Sequence, residues 1–228
     1  MSHVTLHYLY DPLCGWCYGA APLIQIARGI APVTAHAGGL MVGDARRPVT
    51  PALAKFVKPH DMNIAQLSGQ PFGDAYTQGL LSDATAVFDS EPPITAVLAA
   101  EQIAQRGLDL LARLQTAHYV EGKRIADAQV LQALAEAIGL DAASFDKAFA
   151  QLAGAATHAH IEATRALMDR THSQGFPALS LERNGIFTPL DITAYFGKPD
   201  AWSDWLTRQL AADTVTKDAV TTSSGCKP

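Results

Sequence analysis

Two cysteines, Cys14 and Cys17, stand three residues apart in the run Leu13-Cys14-Gly15-Trp16-Cys17-Tyr18. Positions i and i+3 of a helix share a face, so two such sulfurs can meet and exchange a disulfide. The residues around them sharpen that reading. VTLHYLY, 4–10, is rich in β-branched and aromatic residues and reads as a strand, which Asp11-Pro12 ends. From Cys17 to Gly29 the spacing is helical, with Leu23, Ile24 and Ala27 on one face. A thiol at such a junction sits where unpaired N–H groups and the helix dipole favour an anion. The expected chemistry is thiol–disulfide exchange. Cys14, the more exposed, attacks as thiolate, and Cys17, one turn in and more buried, resolves the mixed disulfide.

Other uses of the pair fit the sequence less well. Zinc takes four protein ligands, or three and a water, and no second CxxC is present; His158 and His160 are two apart. Covalent haem needs a histidine after the second cysteine, where residue 18 is Tyr. Gly15 and Trp16 set the shape of the loop and so tune the potential. Asp11, three before Cys14, could move a proton to or from Cys17, although an Asp-Pro turn is the simpler role. Far along the chain, Gly175-Phe176-Pro177 opens a second strand-like run. A cis bond before Pro177 would bring that loop back beside Cys14 and leave a backbone edge for an extended substrate, but an X–Pro bond is trans by default.

The elements that must hold these residues follow from the pattern. VTAHA, 33–37, is a second strand, so the chain opens as a βαβ unit with a parallel strand pair. Thr50-Pro51 starts a helix with Leu53, Phe56 and Val57, and residues 60–90 read as loop-rich. Further helices start at Ser90-Glu91-Pro92-Pro93, run from Leu108 to Tyr119, and open at Asp127 and at Asp141. Another spans about His158 to His172. ALSLE, 178–182, then alternates as a strand, Asn184-Gly185 signals a type I′ hairpin, and Ile186-Phe187 begins the return. A short helix near Asp191–Phe196 and a last one with Trp202, Trp205, Leu206 and Leu210 close the order. The fold class is therefore α/β. The sheet domain is discontinuous, 1–43 and 156–215, with a helical insertion at 44–155 and a tail at 216–228.

At this point LYDPLCGWCYGAAPLI and GFPALSLERNG resemble the DsbA family of the thioredoxin superfamily, and most of all its branch of cytoplasmic CGWC protein-disulfide isomerases. FDSEPPITAVLAAE, in the insertion, is similar to that branch as well. The resemblance spans nearly the whole chain. It implies a thioredoxin-like fold with a helical insertion, Cys14 as nucleophile, Cys17 as resolving thiol, and Pro177 as the cis-proline after a variable Phe176. Gly15, Trp16, Phe176 and Pro177 would contact substrate. Gly15-Trp16 departs from the Pro-His of the strongly oxidising periplasmic enzymes, which favours reductase or isomerase work. Kappa-class glutathione transferases and 2-hydroxychromene-2-carboxylate isomerases share the fold but usually carry serine in place of the first cysteine and lack the second thiol, so CGWC argues against glutathione-dependent transfer, which is kept as the alternative. A non-catalytic metal-binding or redox-sensing module is a third reading.

Composition bounds the partners. The chain has 228 residues, 48% apolar, with a net charge of −5 and no basic cluster, so nucleic acid is not an expected partner. No stretch reaches the roughly 18 apolar residues that cross a bilayer, and no membrane is expected. MSHVTLHYLYDP has no basic start, apolar core or cleavage site, which predicts that the chain stays in the thiol-reducing cytoplasm. Disulfide- or thiol-containing proteins and small thiols are the expected partners, with no cofactor beyond glutathione as a co-substrate. Cys226, in the tail, could link a homodimer or sense redox state, and otherwise has no role. His118 and Tyr119 could line a cleft facing Cys14, though packing explains them too. Arg46-Arg47 could bind a glutathione carboxylate or be a solvated surface pair; Met41 and Met168 read as core fillers.

Overall fold

The computed structural model describes residues 4–211; the tail and Cys226 lie outside them. The chain opens with β1 (Val4–Tyr10), α1 (Gly15–Ile30) and β2 (Val33–Ala37). It closes with β5 (Ala178–Arg183), β6 (Ile186–Leu190) and α8 (Pro199–Ala211). Between these lie the short strands β3 (Arg47–Pro48) and β4 (Val87–Phe88), and helices α2 (Pro51–Ser68), α3 (Glu91–Ala104), α4 (Gly107–Tyr119), α5 (Ala128–Ala137), α6 (Ala142–Leu152) and α7 (Ala155–Thr171).

Strands from the two ends of the chain form one four-stranded sheet in the order β2-β1-β5-β6. β1 and β2 run parallel, as a crossover helix requires, with Leu9 opposite His36; β1–β5 and β5–β6 are antiparallel. Period-two side chains divide β1 between two faces. Tyr8 and Tyr10 stack at 5.4 Å, while His7 contacts His36 of β2 and Glu182 of β5. The β5–β6 turn has Asn184 at φ 51° and Gly185 at φ 81°, the two left-handed residues of a type I′ turn. Trp202 of α8 is fully buried and donates its indole N–H to the Leu23 carbonyl at 2.8 Å, fixing α8 on α1. Trp205 stacks on Trp202 at 5.4 Å.

Several boundaries differ from the sequence reading. The stretch from residue 60 is not loop: α2 runs through Pro59 to Ser68 and stops at Gly69, φ 74°. Proline removes one helix hydrogen bond, but burial of the apolar Ala54 and Ile64 side chains outweighs that loss. Thr50 caps α2 as expected, accepting from the Leu53 N–H at 3.1 Å. Asp141 caps α6 in the same way, at 2.8 Å, whereas Asp127 stands at the cap position of α5 without a side-chain bond. The helix near Asp191 is a single tight turn, Thr193–Tyr195. Met41 packs against the core, and Met168 is only half-buried.

Candidate active site

Cys14 is the N-cap of α1, with φ −88° and ψ 113°, so its backbone is still extended while its carbonyl already accepts from the Tyr18 N–H at 3.1 Å. The next amides point out of the helix end with no turn before them to bond. The helix therefore starts at Gly15, two residues before the sequence reading placed it. Cys14 is 7% exposed and Cys17 is fully enclosed; both are free thiols. The Cys17 thiol is pushed well above its usual range, first by burial, then by its hydrogen bond to Cys14 and by the Cys14 charge. The Asp11 backbone opposes this in part.

Three segments close around the pair. The first is the turn before it. Asp11 is completely buried, and its carboxylate accepts from the Leu13 N–H at 2.9 Å, the Leu40 N–H at 2.6 Å and the Ser90 hydroxyl at 2.9 Å. It ties the β1–α1 turn to the loop after β2 and to the start of α3. Burial raises its pKa, and those three bonds pull the other way.

The second segment is the loop before β5. The Phe176–Pro177 peptide is cis, so the trans default does not hold here. The Phe176 carbonyl accepts from Cys14 Sγ at 3.4 Å. The Phe176 ring lies on Gly38, where a Cβ would come within 2.1 Å of the ring tip. Gly38 is thus a glycine because the ring occupies the place of its side chain.

Of the third segment, the sequence picks out only Tyr119. Asp61 of α2, Tyr76 and Tyr119 of α4 gather against Gly15. A Cβ at Gly15 would stand 3.0 Å from Ile64 Cδ1, 3.3 Å from Asp61 Oδ1 and 3.9 Å from the Tyr119 hydroxyl. Tyr76 donates its hydroxyl to Asp61 Oδ2 at 3.0 Å. Tyr18 stacks on Tyr119 at 4.8 Å and donates to the Pro71 carbonyl at 2.8 Å. Trp16 turns outward from this cluster and stacks on Phe196 at 6.0 Å. No spacing rule joins residues 15, 61, 76 and 119; only the packing of α2 and α4 on α1 does.

The remaining candidates divide. Tyr119 reaches the thiol loop, while His118 is 1% exposed inside a cage of Tyr76, Phe88 and Tyr119, and burial lowers its pKa to about 3. Arg46 and Arg47 are exposed beside the separate β3–β4 ribbon, with Arg46 3.7 Å from Asp89. Among the described residues no group of three His, Cys, Asp or Glu side chains could hold a metal ion.

A dithiol at the N-cap of the helix after the first strand, faced by a cis-proline loop, defines a thiol–disulfide oxidoreductase built on the thioredoxin plan. The comparisons agree. The cytosolic disulfide reductase DsbM from Pseudomonas aeruginosa is 50% identical over 91% of this chain and 99% of its own, with a TM-score of 0.86. The same protein with GSH gives 48% identity and a TM-score of 0.84. A putative protein disulfide isomerase from Nitrosomonas europaea, at 23% identity, covers 94% of this chain and 98% of its own with a TM-score of 0.72, and shares the fold. No protein-family model matches, and no curated protein matches. The chain belongs to the DsbA family of thiol–disulfide oxidoreductases.

Proposed function

We propose that this protein is a cytoplasmic disulfide reductase or isomerase in which Cys14 attacks and Cys17 resolves. The observation that carries the reading is Cys14 at the head of α1, its sulfur donating to the Phe176 carbonyl beside the cis Pro177, with Cys17 enclosed one turn further on. The Cys14 thiolate forms a bond to one sulfur of the substrate while the substrate S–S bond breaks and a thiolate leaves. Cys17 then loses its proton, bonds to Cys14 Sγ and expels the second substrate thiolate. Two electrons pass from the dithiol to the substrate.

Gly15, Trp16, Phe176 and Pro177 form the substrate-contacting surface in this reading. The half-buried Phe176 and Trp16 flank the sulfur, and the backbone before β5 offers polar groups to an extended chain. Glutathione is the thiol that returns the pair to its reduced form; support comes from the GSH-bound structure of the 48%-identical DsbM. A cytoplasmic setting fits the cytosolic origin of that relative. Among the described residues no helix is long and apolar enough to cross a membrane. In domain terms, 1–43 with 156–215 is the catalytic unit and 44–155 its helical insertion.

Purified protein should catalyse dithiothreitol-driven insulin reduction. Cys14→Ser should abolish it, and Cys17→Ser should arrest the reaction at the mixed disulfide. A Cys17→Ser protein with full multiple turnover would instead support glutathione-dependent transfer by Cys14 alone. Turnover unchanged in Cys14→Ser would end the reading. Equilibration in glutathione buffers then fixes the direction: a couple well below the cytosolic poise reduces, and one well above it oxidises.

A further inference from the structure

Asp61, near the thiol pair, has no part in the chemistry described so far. It is 6% exposed on α2, with its carboxyl turned towards the start of α1. Oδ2 is held by the Tyr76 hydroxyl at 3.0 Å. Oδ1 faces the loop between the cysteines, 3.3 Å from where a Gly15 Cβ would be, and among the described residues no hydrogen bond reaches it. Asp11, the other buried acid nearby, has both oxygens engaged by Leu13, Leu40 and Ser90. Among the described residues, only Asp61 presents to the loop a carboxyl oxygen with no hydrogen-bond partner.

We propose that Asp61 is the general acid of the exchange, giving its proton to the thiolate that leaves when Cys14 attacks a disulfide. The inference rests on the role of Cys14 proposed above. As the Cys14–S–S–R bond forms, the R–S–S–R′ bond breaks and its electron pair departs on R′S⁻. That sulfur takes the Asp61 proton, giving R′SH and the Asp61 carboxylate, and solvent restores the acid. Burial suits the group to this work: it pushes the Asp61 pKa up to about 6, against the pull of the Tyr76 hydroxyl. General acids work best when their pKa lies near the operating pH. The Tyr119 hydroxyl shares the space beside Gly15; its ionisation is opposed first by burial, then by Tyr76, and after these by Cys14, Asp61 and Cys17, so the acid and the sulfurs border the same hydroxyl.

The test uses the Cys17→Ser protein, in which the mixed disulfide cannot be resolved and the attack is read alone. Two neutral substrates are compared: hydroxyethyl disulfide, whose alkyl thiolate leaves poorly, and 2,2′-dipyridyl disulfide, whose leaving group departs readily without help. Adding Asp61→Asn should slow the alkyl substrate by about tenfold or more and the dipyridyl substrate by no more than about twofold. The limb near pH 6 in the alkyl profile should vanish. Tyr76→Phe, which removes the bond that lowers the Asp61 pKa, should move that limb to higher pH. A purely structural Asp61 would slow both substrates alike and move no limb. Equal slowing, or an unchanged alkyl rate and profile, overturns the inference and leaves the exchange function standing. Failure of the Cys17→Ser protein to form a mixed disulfide with either substrate overturns the function, and the role of Asp61 with it.

Discussion

Removing the Asp11 carboxylate should unlock the loop that frames the thiols. Three donors converge on it: Leu13 N–H and the Ser90 hydroxyl on Oδ1, and Leu40 N–H on Oδ2. Burial opposes its charged form more strongly than these bonds favour it, so the acid is no net gain over an apolar core. The donors it would leave behind set the size of the effect. In Asp11→Ala the Leu13 and Leu40 amides are fixed by the backbone and stay unpaired. At about 1–3 kcal/mol for each orphaned buried donor, they cost about 2–6 kcal/mol. The Ser90 hydroxyl can rotate and already accepts from the Met41 N–H at 3.1 Å, so it adds less. Asp11→Asn keeps Oδ1 and its two donors but turns an NH₂ towards the Leu40 amide, orphaning one donor at about 1–3 kcal/mol. Against a typical total of about 5–15 kcal/mol, the alanine variant should lose a large share of the stability. Urea unfolding followed by tryptophan fluorescence gives both values. An alanine variant within about 1 kcal/mol of the parent, or an asparagine variant as damaged as the alanine, would refute the donor-counting argument.

Two further outcomes follow from the packing. His118 has a pKa lowered to about 3, so the unfolded chain takes up a proton that the folded chain refuses. Its contribution to stability is complete above about pH 6.5 and is lost as pH falls, by up to about 1.4 kcal/mol per pH unit. Asp61, raised to about 6, has the opposite slope between its two pKa values, so the net curve of the parent masks both. The difference between parent and His118→Phe, from urea unfolding at pH 7.5, 5.5 and 4.5, isolates the histidine; parallel curves would contradict the sign. Gly38→Ala puts a methyl 2.1 Å from the Phe176 ring tip, so the ring must move. Overpacking of this kind costs about 1–3 kcal/mol, and insulin reduction should slow. Phe176→Ala in the same chain should restore the stability, and failure to do so would place the strain elsewhere.

What could be read in the sequence was what lies within one or two turns of chain. The Asn184-Gly185 turn was legible because only a few residue types take two consecutive left-handed conformations. The cap of α2 at Thr50 and that of α6 at Asp141 were legible for a similarly local reason, the reach of a short side chain to the third amide. The end of α2 was not, because Pro59 is a local breaker and the burial that overrides it comes from α1, far away in the chain. His118 and Tyr119 show the same limit at the level of side chains. The sequence treats them as a pair, yet adjacent helical residues point about 100° apart, and tertiary packing sends Tyr119 to the thiol loop and His118 into an aromatic cage.

The site itself divides along that line. Everything that sets Cys14 at the head of its helix is local: a strand end, a helix start and a second sulfur at i+3. Everything that governs protons around it is assembled from a distance. The carbonyl on Cys14 comes from the loop before β5, the carboxyl from α2, and the hydroxyls from Tyr76 and from Tyr119 of α4. The last two sources lie in the stretch between β2 and β5, outside the sheet strands. A chain cut back to the sheet and α1 would therefore keep both sulfurs and lose the acid beside them. By this logic the intervening helices matter to catalysis in proportion to how poorly the substrate thiol leaves, since only a poor leaving group needs the proton they supply.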